Sequence, residues 1–280
     1  MKPSTRTLLA SLAAEDASRR ARTIGLRELD ELCRVSGLSV SEAARMAVDQ
    51  DIIPSVLLKN LHAVSPVDQA RLLAGAVLVV GAGGLGGYVL ELLARFGVGR
   101  IRVADGDVFE ESNLNRQLLS SVEDLGRNKA RVGAARARTI CPLIEVEPLD
   151  FFLDVSNLPT ALRGMDVVVD ALGGIAPRRM LHEAASAAGL PVVSAAVAGW
   201  TALVGSEFPD QVGISSLWSD PGDADAEHVL GSLAPAACLA ASLQAAEVVH
   251  YLVDGNLRLA GRMLHADLAA FRFELFDLAA

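Results

Sequence analysis

The spacing of apolar positions changes character at about residue 75. Over residues 1–74, Arg, Glu and Asp stand between Leu, Ala and Ile at three-to-four spacing, as in RELDELCRVSGLSVSEAARMAV, and this period predicts helices. Ser39 and Ser41 can cap a helix starting near Glu42, and Pro54 can start another. From Val77 the apolar positions become short, nearly continuous runs. Val77-Leu78-Val79-Val80 predicts a strand buried on both faces, followed by a helix over Tyr88 to Phe96 that Gly97 and Gly99 stop, and a strand over Arg100 to Ala104. A helix then begins near Arg127-Asn128-Lys129. Further strands are predicted at Ile144 to Pro148, Asp166 to Ala171 and Pro191 to Ala195, with helical runs between them. Ser194 to Glu207 reads as a turn into an antiparallel part of the sheet, and Ser219 to Glu227 as a mobile acidic loop able to serve as a lid. A small-residue helix over Ala234 to Val253 and strands at Arg262 to Ala266 and Arg272 to Leu278 complete the pattern.

Strands alternating with helices argue for an α/β chain: a mostly parallel sheet with helices on both faces, C-terminal antiparallel strands and an N-terminal helical extension. The division expected is 1–74 for the extension, a packing or dimerisation module, and 75–280 for a nucleotide-binding domain. The nucleotide enters through the glycines. Gly81, Gly83, Gly84 and Gly86 follow the first strand and open the next helix, an order that brings backbone N–H groups close to a phosphate, so the sheet is expected to be Rossmann-like. Asp105, at the carboxyl end of the second strand, can take a ribose hydroxyl. The polar stretch that follows sets Asn113, Asn115 and Arg116 where an open α/β sheet binds its ligand. Lys129 falls in the first turn of a helix, where the macrodipole disfavours a cation, so an anion is expected in front of it; with Arg116 it forms a phosphate clamp.

Composition narrows the classes. Hydrophobic residues make up 51% and charged residues 21%, and the net charge of -9 argues against a nucleic-acid backbone as ligand. The three cysteines (Cys33, Cys141, Cys238) are far apart with no CxxC pair, against a disulfide framework or a clustered zinc site. With no basic-then-apolar leader and no unbroken apolar run of ~20 residues, a cytoplasmic protein without a membrane partner is expected. There is no GxxxxGK[ST], GxSxG or HExxH, and the five histidines are scattered, each expected on the surface or satisfied in the core.

GAGGLG (Gly81 to Gly86), ADGDVFEESNLNRQ (Ala104 to Gln117), GRNKA (Gly126 to Ala130) and SLQAAEVVHYL (Ser242 to Leu252) together resemble the ThiF/MoeB/HesA family, relatives of ubiquitin-activating enzymes. The resemblance implies an enzyme that uses ATP and Mg2+ to adenylate the C-terminal Gly-Gly carboxylate of a small ubiquitin-like sulfur carrier protein, releasing pyrophosphate in thiamin or molybdopterin-type cofactor synthesis. It puts Gly84 at the phosphates, Asp105 on the ribose with Asp107 close by, Ser112 to Arg116 along the nucleotide, and Arg116 and Lys129 on the triphosphate. It also implies a homodimer in which Lys59, at the place of the family's cross-dimer Arg, reaches the partner's nucleotide. The chain departs from the family pattern at Gly173-Gly174, where relatives carry Asp-Asn and the Asp helps to hold magnesium; Asp170 or Asp107 is left for the metal. The family's two CxxC zinc pairs are absent, so no zinc is expected. Two other readings stay open: a catalytically degenerate nucleotide-binding homologue that scaffolds or regulates an active partner, and a nicotinamide-dependent dehydrogenase, which explains the glycines and Asp105 but not SNLNRQ or Lys129.

Overall fold

In the computed structural model, which describes residues 4–17, 20–209, 211–218 and 226–278, the first segment comprises α1 (Thr5–Leu12), β1 (Ala14–Asp16), β2 (Ala21–Ile24), α2 (Leu26–Ser36), α3 (Val40–Val48), β3 (Ile52–Pro54) and α4 (Pro66–Ala74). It is less purely helical than its spacing predicts. β1, β2 and β3 form a small sheet, antiparallel then parallel, from strands of three or four residues that are too short to display a two-residue alternation. Ser39 caps α3 in a capping box, its Oγ accepting from the Glu42 N–H at 3.3 Å while Glu42 accepts from the Ser39 N–H at 2.8 Å, so the helix opens two residues before Glu42. Pro54 ends β3 and leads into a 3-10 turn, Ser55–Asn60; the α-helix after it begins at Pro66. Leu9, Leu29, Leu32 and Ile52 belong to the same buried cluster as Val77 and Val79 of the main sheet, and only Gly75 separates α4 from its first strand.

The remaining elements are β4 (Ala76–Val80), α5 (Gly86–Phe96), β5 (Arg100–Ala104), α6 (Lys129–Ile140), β6 (Glu145–Leu149), α7 (Leu158–Leu162), β7 (Val167–Asp170), α8 (Ile175–Ala187), β8 (Val192–Ala198), β9 (Thr201–Glu207), α9 (Ala226–Leu230), α10 (Ala234–Asp254), β10 (Arg262–Asp267) and β11 (Arg272–Asp277). They build one eight-stranded sheet in the order β11-β10-β9-β8-β7-β4-β5-β6. β8, β7, β4, β5 and β6 run parallel; β9, β10 and β11 are antiparallel. Every residue of β4 is buried, as a strand covered by helices on both faces requires. β6 is an edge, where Pro148 forfeits no ladder bond on its open side. From β4 the chain lays down β5 and β6 on one side, then crosses over and adds β7 and β8 on the other. That reversal opens a crevice at the carboxyl ends of β4, β5 and β7.

α10, at 21 residues, is long and apolar enough to cross a membrane. Its buried face nevertheless carries Gln244, which donates to the Asp170 and Val193 carbonyls at 2.9 and 3.2 Å, and Glu247, which accepts from Ser206 and the Leu259 N–H. A helix whose buried face bonds to β7, β8 and β9 in this way is a core helix of this fold. Of the acidic stretch Ser219 to Glu227 expected to form a lid, residues 219–225 lie outside the described residues, and the rest starts α9.

Candidate nucleotide-binding site

A cavity of about 950 Å3 occupies the crevice, lined by Gly81, Gly83, Gly84, Asp105, Asp107, Arg116 and Lys129 together with the strand ends Val80 and Ala104 and with Ala171, just past the end of β7. The glycines divide into two kinds. A Cβ on Gly86 would lie 1.7 Å from the Gly81 carbonyl oxygen, so Gly86 is required by the turn itself, and α5 therefore starts there rather than at Tyr88. A Cβ on Gly84 would meet nothing closer than the Arg116 Cγ at 3.7 Å; bareness at that position leaves room for a ligand. Asp105 holds the turn in place. Its Oδ2 accepts from the Ala82 N–H at 2.7 Å and its Oδ1 from the Asp107 N–H at 2.9 Å, and each oxygen keeps a second lone pair for a hydroxyl donor. Burial raises the Asp105 pKa, against the opposing pull of these two amides and Lys129.

Lys129 is the first residue of α6 and only 8% exposed, and its Nζ sits 3.3 Å from Asp107 Oδ2. The cation that looked misplaced on its helix dipole thus has a counter-ion in the crevice. Arg116 is held by its own loop, its Nη1 donating to the Ser112 carbonyl and to Asn115 Oδ1, both at 3.0 Å. Other expected residues serve the loop rather than the wall. Asn113 is buried and accepts from the Glu110 N–H at 3.1 Å; Ser112 is exposed; Asn115 ties the loop to the Ser232 carbonyl at 3.4 Å. Lys59 is exposed on the Ser55–Asn60 turn, and among the described residues it does not line this chain's cavity.

Asp170 departs from its expected part as a magnesium ligand. It is fully buried, and its Oδ2 accepts from Arg178 at 2.7 Å and Ser194 at 2.6 Å, with the His182 Nε2 at 3.2 Å; its Oδ1 accepts from the Leu172 N–H. Burial opposes ionisation, but Arg178, His182 and Ser194 outweigh it and hold the pKa down at about 2. A carboxylate with no exposed surface, already paired with Arg178 and His182, is not available to a metal in the crevice.

Sequence reasoning passed over three other residues. Asn128 caps α6 through its Oδ1 and donates from Nδ2 to the Asp105 and Asp107 carbonyls at 2.9 and 3.1 Å, and so pins the end of β5. Gln117, 7% exposed, lines the cavity with an Oε1 that has no hydrogen-bond partner among the described residues. Trp218 forms part of the opposite wall, its ring 4.8 Å from the Arg178 guanidinium. The Asn immediately before Lys129 was a readable helix-capping signal and Gln117 stands next to Arg116 in the same polar stretch, whereas Trp218 lies too far in sequence from the glycine turn to be linked to it.

Residues 57–280 match the ThiF family. The chain belongs to that family. This ThiF-family chain is 36% identical over 214 residues to the SAMP-activating enzyme E1 of Haloferax volcanii, covering 75% of the chain and 79% of that protein. With the sulfur carrier protein ThiS adenylyltransferase of Escherichia coli it shares 32% identity over 199 residues, 68% of the chain and 79% of that enzyme. It matches about half of the sulfur carrier protein adenylyltransferase of Thermus thermophilus, 51%, at 42% identity. Among solved structures, E. coli MccB with AMPCPP and MccA superposes with a TM-score of 0.68 over 90% of the chain and 79% of MccB, and PaaA with 0.65 over 99% and 90%. At 18% and 22% identity these two likenesses concern the fold. The protein is a ThiF-type adenylyltransferase. Its crevice fits a nucleoside triphosphate, with a glycine turn, a half-buried carboxylate and two cations lining it. Among the described residues it offers no protein-held magnesium site. Among the described residues the acids lining the cavity are Asp105 and Asp107, the first bonded to two amides and the second paired with Lys129, and no cluster of three metal-ligating side chains occurs.

Proposed function

We propose that this protein uses ATP to adenylate the C-terminal carboxylate of a small ubiquitin-like sulfur carrier protein ending in Gly-Gly, in the synthesis of thiamin or a molybdopterin-type cofactor. The observation that carries this reading is the meeting of Gly84, Asp105, Arg116 and Lys129 in one crevice at the switch point of the sheet. Relatives named for ThiS and for SAMP support the class of carrier. In the reaction a carboxylate oxygen forms a bond to the α-phosphorus while the bond to pyrophosphate breaks. Negative charge gathers on the phosphoryl oxygens and the leaving group, and Arg116 and Lys129, held before the reaction by Ser112, Asn115 and Asp107, are positioned to meet it without reorganising. Asp105 orients the ribose. Magnesium is expected to arrive on the phosphates of the nucleotide, and no step is assigned to a protein-held metal. Lys59, exposed and outside its own crevice, is assigned to the partner's nucleotide in a homodimer.

Gly173 and Gly174 favour a second reading. They line the cavity and leave that wall without a carboxylate, as a nucleotide-binding scaffold with little turnover would have it. ATP–pyrophosphate exchange with small carriers ending in Gly-Gly separates the two. Exchange that depends on the carrier and vanishes when its last two residues are removed supports adenylation; tight ATP binding without exchange supports the scaffold; NAD bound more tightly than ATP overturns both.

A further inference from the structure

Beneath the crevice lies a buried chain of ionic groups that the adenylation chemistry does not use. His182, on α8 and 4% exposed, places Nε2 3.2 Å from Asp170 Oδ2 and Nδ1 2.6 Å from Glu207 Oε1. Each carboxylate continues to a different wall of the cavity. On the β7 side, Asp170 holds the Leu172 N–H at 3.1 Å and Arg178 at 2.7 Å, and Arg178 donates in turn to the Leu172 carbonyl, so the loop through Gly173 and Gly174 is fixed at both polar groups of one residue. On the β9 side, Glu207 Oε2 accepts from the Ser215 N–H at 3.0 Å and so fixes the Ile214–Trp218 turn, whose Leu217 and Trp218 line the cavity. Trp218 returns to Arg178 through its ring face and closes the circuit. Four groups facing one another, Asp170, Glu207, Arg178 and His182, balance in charge only when the imidazole carries its proton. A neutral His182 would leave an uncompensated carboxylate in the core.

We propose that His182 is a positioning residue that keeps the Leu172–Gly174 wall and the Ile214–Trp218 wall of the nucleotide cavity in register through its simultaneous bonds to Asp170 and Glu207. The inference rests on the reading of that cavity as the ATP site. No other side chain spans the two carboxylates among the described residues, so loss of the imidazole removes the link between Asp170 and Glu207 and leaves, of the circuit, only the Arg178–Trp218 contact between the walls.

The experiment compares wild type, His182→Gln, the isosteric Glu207→Gln and the double variant, each in a Trp200→Phe background that leaves Trp218 as the single tryptophan of the two in the chain. KM and kcat for ATP are read by pyrophosphate exchange, ATP affinity by calorimetry, and the state of the second wall by Trp218 emission, with the folded fraction fixed by a thermal melt. Expected are a rise of about 10-fold or more in KM and Kd for ATP, kcat per folded molecule within about threefold, a red shift of Trp218, and a double variant no worse than the weaker single one, because both changes cut the same link. Variants that melt lower but keep wild-type KM and emission would show a merely structural histidine and overturn the proposal, as would additive effects in the double variant. Wild type that binds ATP without exchanging overturns the adenylation reading alone, since calorimetry and emission still decide the coupling. Wild type that binds no ATP overturns both.

Discussion

Replacing Gly86 with Ala and replacing Gly84 with Ala add the same methyl group two residues apart, and their consequences should differ in kind. At Gly86 the new carbon would sit 1.7 Å from the Gly81 carbonyl oxygen and 2.7 Å from its carbon. Ordinary contact needs a retreat of roughly 1.5 Å, and Gly81 cannot supply it. Its N–H is bonded to the Ala104 carbonyl at 2.8 Å, its φ is +94°, and its own missing Cβ faces the Ala171 carbonyl at 2.5 Å. With backbone on three sides the strain should reach about 3 kcal/mol, the upper end for overpacking, which for a domain of this size lowers the melting temperature by roughly 6–12 °C. At Gly84 the nearest atom is the flexible Arg116 Cγ at 3.7 Å, so stability should stay within about 0.5 kcal/mol. The methyl group there occupies the space a phosphate must enter, and a displacement of about 1 Å should weaken ATP binding by 10-fold or more. Thermal melts and calorimetric ATP titrations of the two variants measure both effects. A Gly86→Ala protein melting within 2 °C of wild type (about the shift from 1 kcal/mol), or a Gly84→Ala protein with unchanged ATP affinity, would refute the division of the glycines into turn and ligand positions.

Arg116→Ala and Lys129→Ala should each lower pyrophosphate exchange by about 100-fold or more with the fold intact by circular dichroism, the scale of removing one preorganised charge. Gly173 has nothing within 4 Å of a built Cβ and φ outside the left-handed region, so Gly173→Asp should fold normally and, by adding a carboxylate to the cavity wall, raise exchange about 10-fold; an unchanged rate would show that this wall does not limit turnover. Stability should be highest between about pH 4 and 6.5. His182, raised to about 9 by Asp170 and Glu207 against its burial, contributes stability fully present below its ordinary 6.5 and lost as pH rises through 9, on the order of 3 kcal/mol; Asp170, lowered to about 2, contributes stability lost as pH falls through that value. Urea unfolding across pH tests this, and a His182→Gln protein should lack the alkaline decline. For the dimer, light scattering at micromolar concentration should give twice the chain mass, and Lys59→Ala should lower exchange; full activity in that variant would remove its cross-subunit part.

What could be read from the chain was whatever repeats within a few residues. β5 was expected over Arg100 to Ala104 and occurs there, and Asp105 and the glycine turn fall at strand ends because a strand followed by glycines and a helix leaves the backbone little choice. The small N-terminal sheet escaped because strands of three or four residues repeat the two-residue period too few times to stand out. Asp170 shows the other limit. Position after a run of valines places a carboxylate at the end of β7, but its direction depends on Arg178, Ser194 and His182, which arrive 8, 24 and 12 residues later. Adjacency to a crevice can be read from order along the chain; which way a side chain turns is decided by partners that only the folded sheet assembles.

The crossover that creates the crevice also sets the order in which it can form. The Ala82 N–H bond to Asp105 closes 23 residues, whereas the Ala76 N–H bond to Asp166, beside the β4–β7 pairing, closes 90. Closing the longer loop costs about 1 kcal/mol more in chain entropy, so the phosphate side of the crevice can condense first and the wall bearing Leu172 joins it late. A nucleotide gripped by both walls has nothing complete to bind until that late step. ATP should therefore protect this protein by slowing its unfolding rather than by hastening its folding.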